Sequence, residues 1–272
     1  MPILLAFVLG SVLSLTISRT FANGGDTNLI HSCINNSSGA LRIVDLNINC
    51  NGNETPLNWN KENAPGLGGL IQNTTNADFS NSDFRYRNLK GRDFTNSILA
   101  SSNFTNSNLN NVNLTNADIS GSNLSKTRLS TTILNNTNAS SAVFTESDLD
   151  NASIVQGTYN GTDFVNATLR NGNFASVNFQ QADFTSANFS GSNLQNVDIS
   201  SGNITNTNFT GSNLTSANLN VAQIVGANFT DANLLGAMLP DTSDLNLVIW
   251  SNTTCPDGTN SDNNGNTCVG HL

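Results

Sequence analysis

The chain has 272 residues, only 11% of them charged, and ten Lys and Arg against nineteen Asp and Glu leave a net charge of −9. That balance argues against a nucleic-acid partner, because phosphate neutralisation needs clustered cations, and after Asp93 the only Lys or Arg are Lys126, Arg128 and Arg170. With His31 and His271 at opposite ends and no base near a candidate serine nucleophile, no constellation for acid/base or covalent chemistry is present, and the chain reads as a non-enzyme without a cofactor.

Residues 1–22 read as a secretory signal. An apolar stretch from Ile3 to Ile17 is followed by Thr20-Phe21-Ala22, a small-residue site for cleavage after Ala22, although no Lys or Arg precedes the stretch. A membrane span needs roughly 20 apolar residues, and this run is shorter and diluted with Ser and Thr. The mature chain is therefore expected to carry no span and to be secreted or associated with the cell envelope.

Residues 23–76 are non-repetitive. They hold Cys33 and Cys50, a strand-like stretch from Ala40 to Val44, and a Pro/Gly break from Ala64 to Gly69 that reads as a linker or turn.

From 77 to 241 the pattern changes. Every fifth residue from Phe79 to Leu239, 33 positions in all, is Phe, Leu, Ile or Tyr, with Ala139 the exception. A period of five fits neither the 3.6 of a helix nor the 2 of a strand, so the chain must turn a corner after each apolar residue. Two positions earlier the side chain is small (Ala, Ser, Thr, Gly or Val) in all but Arg87 and Arg92, as for an inward site with little room. One position earlier it is Asn or Asp in 24 of 33 units, the preference of a turn at which a short polar side chain bonds its own backbone.

Residues 242–272 close the chain with Leu245, Leu247, Ile249 and Trp250, and with a Gly/Asn/Asp-rich loop between Cys255 and Cys268. An even cysteine count in an exported chain reads as two disulfides. The array would hold the two pairs tens of ångströms apart, so Cys33 is expected to bond Cys50 and Cys255 to bond Cys268.

Units such as ADFSN (77–81), ADFTS (182–186), ANFSG (187–191) and ANFTD (227–231) resemble the A-[DN]-[LF]-x-x unit of the pentapeptide-repeat family. The resemblance implies an all-β fold, a right-handed quadrilateral β-helix with four units per coil, here with disulfide-bearing N- and C-terminal caps. Twenty-residue coils then place residue n beneath n + 20. Leu89, Leu109, Leu129, Leu149 and Leu169 fall in one column, continued by Phe189, Phe209 and Phe229.

The same offset supplies candidate sites. Lys126 lies beneath Glu146, Arg128 beneath Asp148, and Arg170 above Asp150, a charge ladder rather than a metal site. Asp163 and Asp183 stack without a cation, but a Ca²⁺ site needs six to eight oxygens and they read as solvated turn residues. Thr105, Ser125, Thr145, Thr185 and Thr205 share one face, a flat hydroxyl row that would suit an ordered surface such as glycan or ice. The expected role is an exported structural spacer or interaction scaffold whose partner is an unidentified protein or cell-surface component. The family also includes cytoplasmic members that resemble DNA and protect DNA gyrase. Here the signal, the cysteines and the largely neutral Asn/Ser/Thr surface oppose that alternative.

Overall fold

A computed structural model of the chain describes residues 29–35, 37, 41–44, 51–60, 74–241 and 243–271. The signal expected over 1–22 and Cys50 lie outside the described residues. Among those residues no helix is long and apolar enough to cross a membrane.

Three strands, β1 (Leu29–Asn35), β2 (Leu41–Val44) and β3 (Glu54–Asn60), form an antiparallel sheet in the order β2-β1-β3. The strand-like stretch of the sequence is β2; β1 and β3 have no matching pattern. β3 tolerates Pro56 because it lies at an edge, where a missing N–H costs no second ladder bond. Cys33, opposite Arg42 and Pro56 in the register, is buried and disulfide-bonded.

The repeat array is a β-helical solenoid. From Asp78 to Met238 each β-bridge joins residue n to residue n + 20 in parallel, so four pentapeptides complete one coil. The bridges are single-residue contacts and no extended strand forms, because the chain bends again before a second consecutive pair can meet.

The hydrogen bonds of residues 102–106 show why five residues suffice. Asn103 N–H donates down to the Ser82 carbonyl, Phe104 and Asn106 donate up to Asn123 and Ser125, and Ser102 closes a turn onto Leu99. The remaining donor, Thr105 N–H, is taken by Oδ1 of Asn103 at 3.0 Å. Each amide of the unit is thereby satisfied, and the Asn/Asp preference before the apolar residue has its cause.

In three units whose residue at this position is not Asn or Asp, the coil beneath supplies the cap. Ser130, Val155 and Arg170 follow Arg128, Ser153 and Thr168, and their N–H groups donate to the side chains of Asn110, Asn135 and Asp150. After Met238 the position in question is Pro240, which has no N–H to satisfy.

The corners need left-handed backbone. All 33 residues at five-residue spacing from Asn76 to Gly236 have φ between 54° and 71°. Twenty of them are Asn, Asp or Gly, which enter this region at least cost.

Inside, every apolar repeat residue from Phe84 to Leu239 is buried. Rings stack along columns: Phe84 on Phe104 and Phe144 on Phe164 at 4.8 Å, Phe164 on Phe184 and Phe209 on Phe229 at 5.0 Å. The small inward residues return their hydroxyls to the backbone, as Ser102 does to Phe79 and Ser122 to Leu99, both at 2.7 Å. Gly157 is a position where even a methyl is too large, since a Cβ there would sit 2.5 Å from the Tyr159 ring.

Past Met238 one extra residue enters, and the ladder resumes at an offset of 21 with Asn228 to Ile249 and Asn233 to Thr254. A 3-10 helix, Ser243–Leu247, takes up the insertion. Trp250 and Cys255 then occupy buried core positions, and the buried Thr253 hydroxyl donates to Phe229 as the inward threonines below it do. The ladder thus runs on beyond residue 241, out of phase with the five-residue count.

Candidate functional site

The Thr105 column is a single line of half-buried side chains, one per coil. Their hydroxyl protons are already committed: Thr105, Ser125 and Thr185 donate to Asn103, Asn123 and Asp183 at 2.6, 2.7 and 2.6 Å, and Thr145 donates to Asp163 at 3.0 Å. Thr205 lies next in line, its N–H bonded to Asn203. What this face presents outward is methyl groups and spare oxygen lone pairs, with few free donors.

The charge ladder forms in two of its three places. Lys126 meets Glu146 at 3.6 Å, and Arg170 bonds Asp150 through Nε at 2.9 Å and through its Nη2. Burial raises the Asp150 carboxyl, but the bonds from Arg170 outweigh it and hold the group below the usual carboxylate range. Arg128 and Asp148 are bridged in register yet form no ion pair among the described residues. Asp148 is occupied elsewhere, Oδ1 with Asp150 N–H at 3.0 Å and Oδ2 with Ser130 Oγ at 2.7 Å. A residue at the turn-capping position is folded back on its own turn, and the twenty-residue offset cannot reveal that.

Asp163 and Asp183 stack as expected. Their oxygens accept from Val165 N–H, Thr145 Oγ1 and both donors of Thr185. Among the described residues no group of three or more His, Cys, Asp or Glu is placed to hold a metal ion.

The C-terminal closure is the most constrained surface feature. Cys255 and Cys268 are joined, with Cα atoms 5.3 Å apart, and both are buried. Within the loop Asp257 accepts from Thr259 N–H and Oγ1 at 2.9 and 2.7 Å and pairs with His271 Nδ1 at 2.9 Å. Ser261 Oγ donates to the Trp250 carbonyl at 2.9 Å, tying the loop to the last ring of the core.

Family models agree with this geometry. The model for pentapeptide repeats (8 copies) matches residues 88–125, 97–136 and 122–156, and that for a pentapeptide repeat region matches 152–229. Together they cover more than half of the chain. The chain is a pentapeptide-repeat protein. Among solved structures, this pentapeptide-repeat protein is similar to HetL from the cyanobacterium Nostoc sp. strain PCC 7120, involved in heterocyst differentiation regulation. The identity is 21% over 68% of this chain and 87% of that one, with a TM-score of 0.37. It is similar to QnrB1, a plasmid-mediated fluoroquinolone resistance protein, at 16% identity over 66% and 88% of the two chains, with a TM-score of 0.48. A pentapeptide repeat protein of the Arabidopsis thaliana thylakoid lumen shares 27% identity over 41% and 76%, with a TM-score of 0.24. No curated protein matches the chain.

Proposed function

We propose that this pentapeptide-repeat protein is an exported, non-enzymatic spacer or interaction scaffold at or outside the cell envelope. It is a right-handed quadrilateral rod whose ends are closed by disulfide-bearing segments. The observation that carries the reading is the Cys255–Cys268 bond, which lies inside the last coil of a continuous ladder and is buried with it. A disulfide built into the folded core belongs to an oxidising compartment, and one coil per about 4.8 Å gives a rod roughly 40 Å long. Such a rod holds its two ends apart and offers four long faces.

Cell fractionation with non-reducing peptide mapping tests this. The expected result is a mature chain beginning near Asn23, recovered outside the cytoplasm with Cys33–Cys50 and Cys255–Cys268 crosslinked. Cytoplasmic recovery with four free thiols would overturn the reading and favour the gyrase-directed alternative.

A further inference from the structure

The seven cations of the array are unevenly placed. Arg85, Arg87, Lys90, Arg92, Lys126 and Arg128 all fall in its first fifty or so residues, and only Arg170 lies beyond. Three of them, Arg87, Lys126 and Arg128, line one open depression of about 520 Å³ that spans three successive coils. Tyr86 stands on its rim, and Asn88, Ser107 and Asn108 belong to its wall.

Among the described residues, most groups in this depression are donors with no acceptor, or only a loosely held one, beside them. Arg128 is exposed and unpaired among the described residues, because Asp148 above it is held by Ser130 and Asp150. Arg87 replaces the small inward residue of other units and likewise makes no ion pair among the described residues. Lys126 is only loosely held by Glu146, at 3.6 Å with both side chains half exposed. The Asn88 and Asn108 oxygens are taken by Lys90 and Asn110 N–H, which leaves their amide NH₂ groups as the available ends. Ser107 Oγ is buried without a hydrogen-bond partner, whereas inward hydroxyls such as Ser102 and Ser122 bond a carbonyl.

Tyr86 adds an aromatic surface. The residue is 64% exposed and its backbone is at φ 60°, a corner position where Asn or Gly is the usual occupant. An exposed aromatic kept at a strained position is of use where a ligand ring can lie on it.

We propose that this depression binds a short acidic saccharide. Tyr86 would carry the C–H face of a sugar ring, Arg87 and Arg128 its carboxylate, and Lys126 with the Asn88 and Asn108 amides its hydroxyl oxygens. Arginine forks match a carboxylate bidentately. A long polyanion is disfavoured, because three cations are too few to track one and the chain's net charge of −9 repels it. The site does not depend on where the protein resides.

Calorimetric titration of the full mature chain with digalacturonate, neutral digalactose and inorganic phosphate tests the proposal. Digalacturonate should bind at least about tenfold more tightly than either control, and Arg128→Gln should weaken it about tenfold or more, the loss expected for one charge-assisted bond. Tyr86→Asn should also abolish binding while leaving the unfolding temperature unchanged or raised, since Asn suits the corner, so loss of binding cannot be ascribed to loss of fold. Equal affinity for digalactose, phosphate binding that survives Tyr86→Asn and matches digalacturonate, or no digalacturonate binding up to about 10 mM would each overturn the site.

Discussion

Trp250 lies flat on Phe229, their rings 5.3 Å apart and 15° from parallel, although it is 21 and not 20 residues further along the chain. The indole extends the column of Phe189, Phe209 and Phe229 by one layer, and its Nε1–H donates to the Leu245 carbonyl at 3.0 Å. An open apolar end is the weak point of any solenoid, and this ring covers it. Trp250→Ala should therefore cost about 3–5 kcal/mol in denaturant unfolding. A loss below about 1 kcal/mol, the range of surface changes, would show that the ring is dispensable.

Tyr159 sits one coil above Ala139, the one small residue among the 33 repeat positions, and its hydroxyl reaches down to the Leu134 carbonyl at 3.3 Å. The ring is fully buried, its phenol pushed well above the usual range by burial, and no open space is left around it for a larger residue at 139 if it reaches into the coil below as its bond to Leu134 requires. Ala139→Leu should destabilise by about 1–3 kcal/mol through overpacking. Adding Tyr159→Leu should restore much of the loss, a coupling that a double-mutant cycle measures directly.

Val221 holds φ 60° with a β-branched side chain that is 76% exposed. Left-handed backbone costs such a residue about 1–2 kcal/mol, and no burial offsets it. Val221→Asn is expected to raise stability by about 1 kcal/mol, read as an upward shift of the denaturant midpoint at unchanged slope. Val197→Asn, at a buried inward position, should do the opposite and lower it.

Asp257 gives the C-terminal closure a pH dependence. The Thr259 hydroxyl, then its N–H, then His271 hold the carboxyl down at about 2, against an ordinary 3.8. A carboxyl lowered by folding stabilises the folded state above its unfolded value, and the benefit disappears as pH falls from about 4 to about 2. Hydrogen-exchange protection factors of residues 255–271 should fall over that window while those of the central coils do not. Asp257→Asn should remove the pH response of the loop, and a loop that loosens identically in that variant would refute the assignment.

Much of the fold could be read from the residues alone, and the reason is the repeat. A five-residue spacing that no helix or strand accommodates, a small residue two places earlier and Asn or Asp between them specify the core, the inward wall and the turn cap of each unit. Stacking then multiplies one local solution, so the twenty-residue columns follow from the same count. Where the period fails, so did the reading. The extra residue after Met238 moved Trp250 and Cys255 into core positions that the five-residue count did not mark, and β3 hides behind Pro56.

Side-chain direction was the other thing the tertiary structure decided. In the sequence Arg128 and Asp148 look like Lys126 and Glu146, an opposite-sign pair at the same offset. Asp148, however, is at the capping position, where it closes its own turn and meets Ser130 instead of pairing with Arg128. The unpaired Arg128, the orphaned Ser107 hydroxyl and the exposed Tyr86 come together only because three coils stack. The sequence alone determined the periodic backbone, whose cause is local hydrogen bonding repeated every five residues. Which charges remained free was set by competition among neighbours twenty residues apart, and that competition exists only in the folded coil.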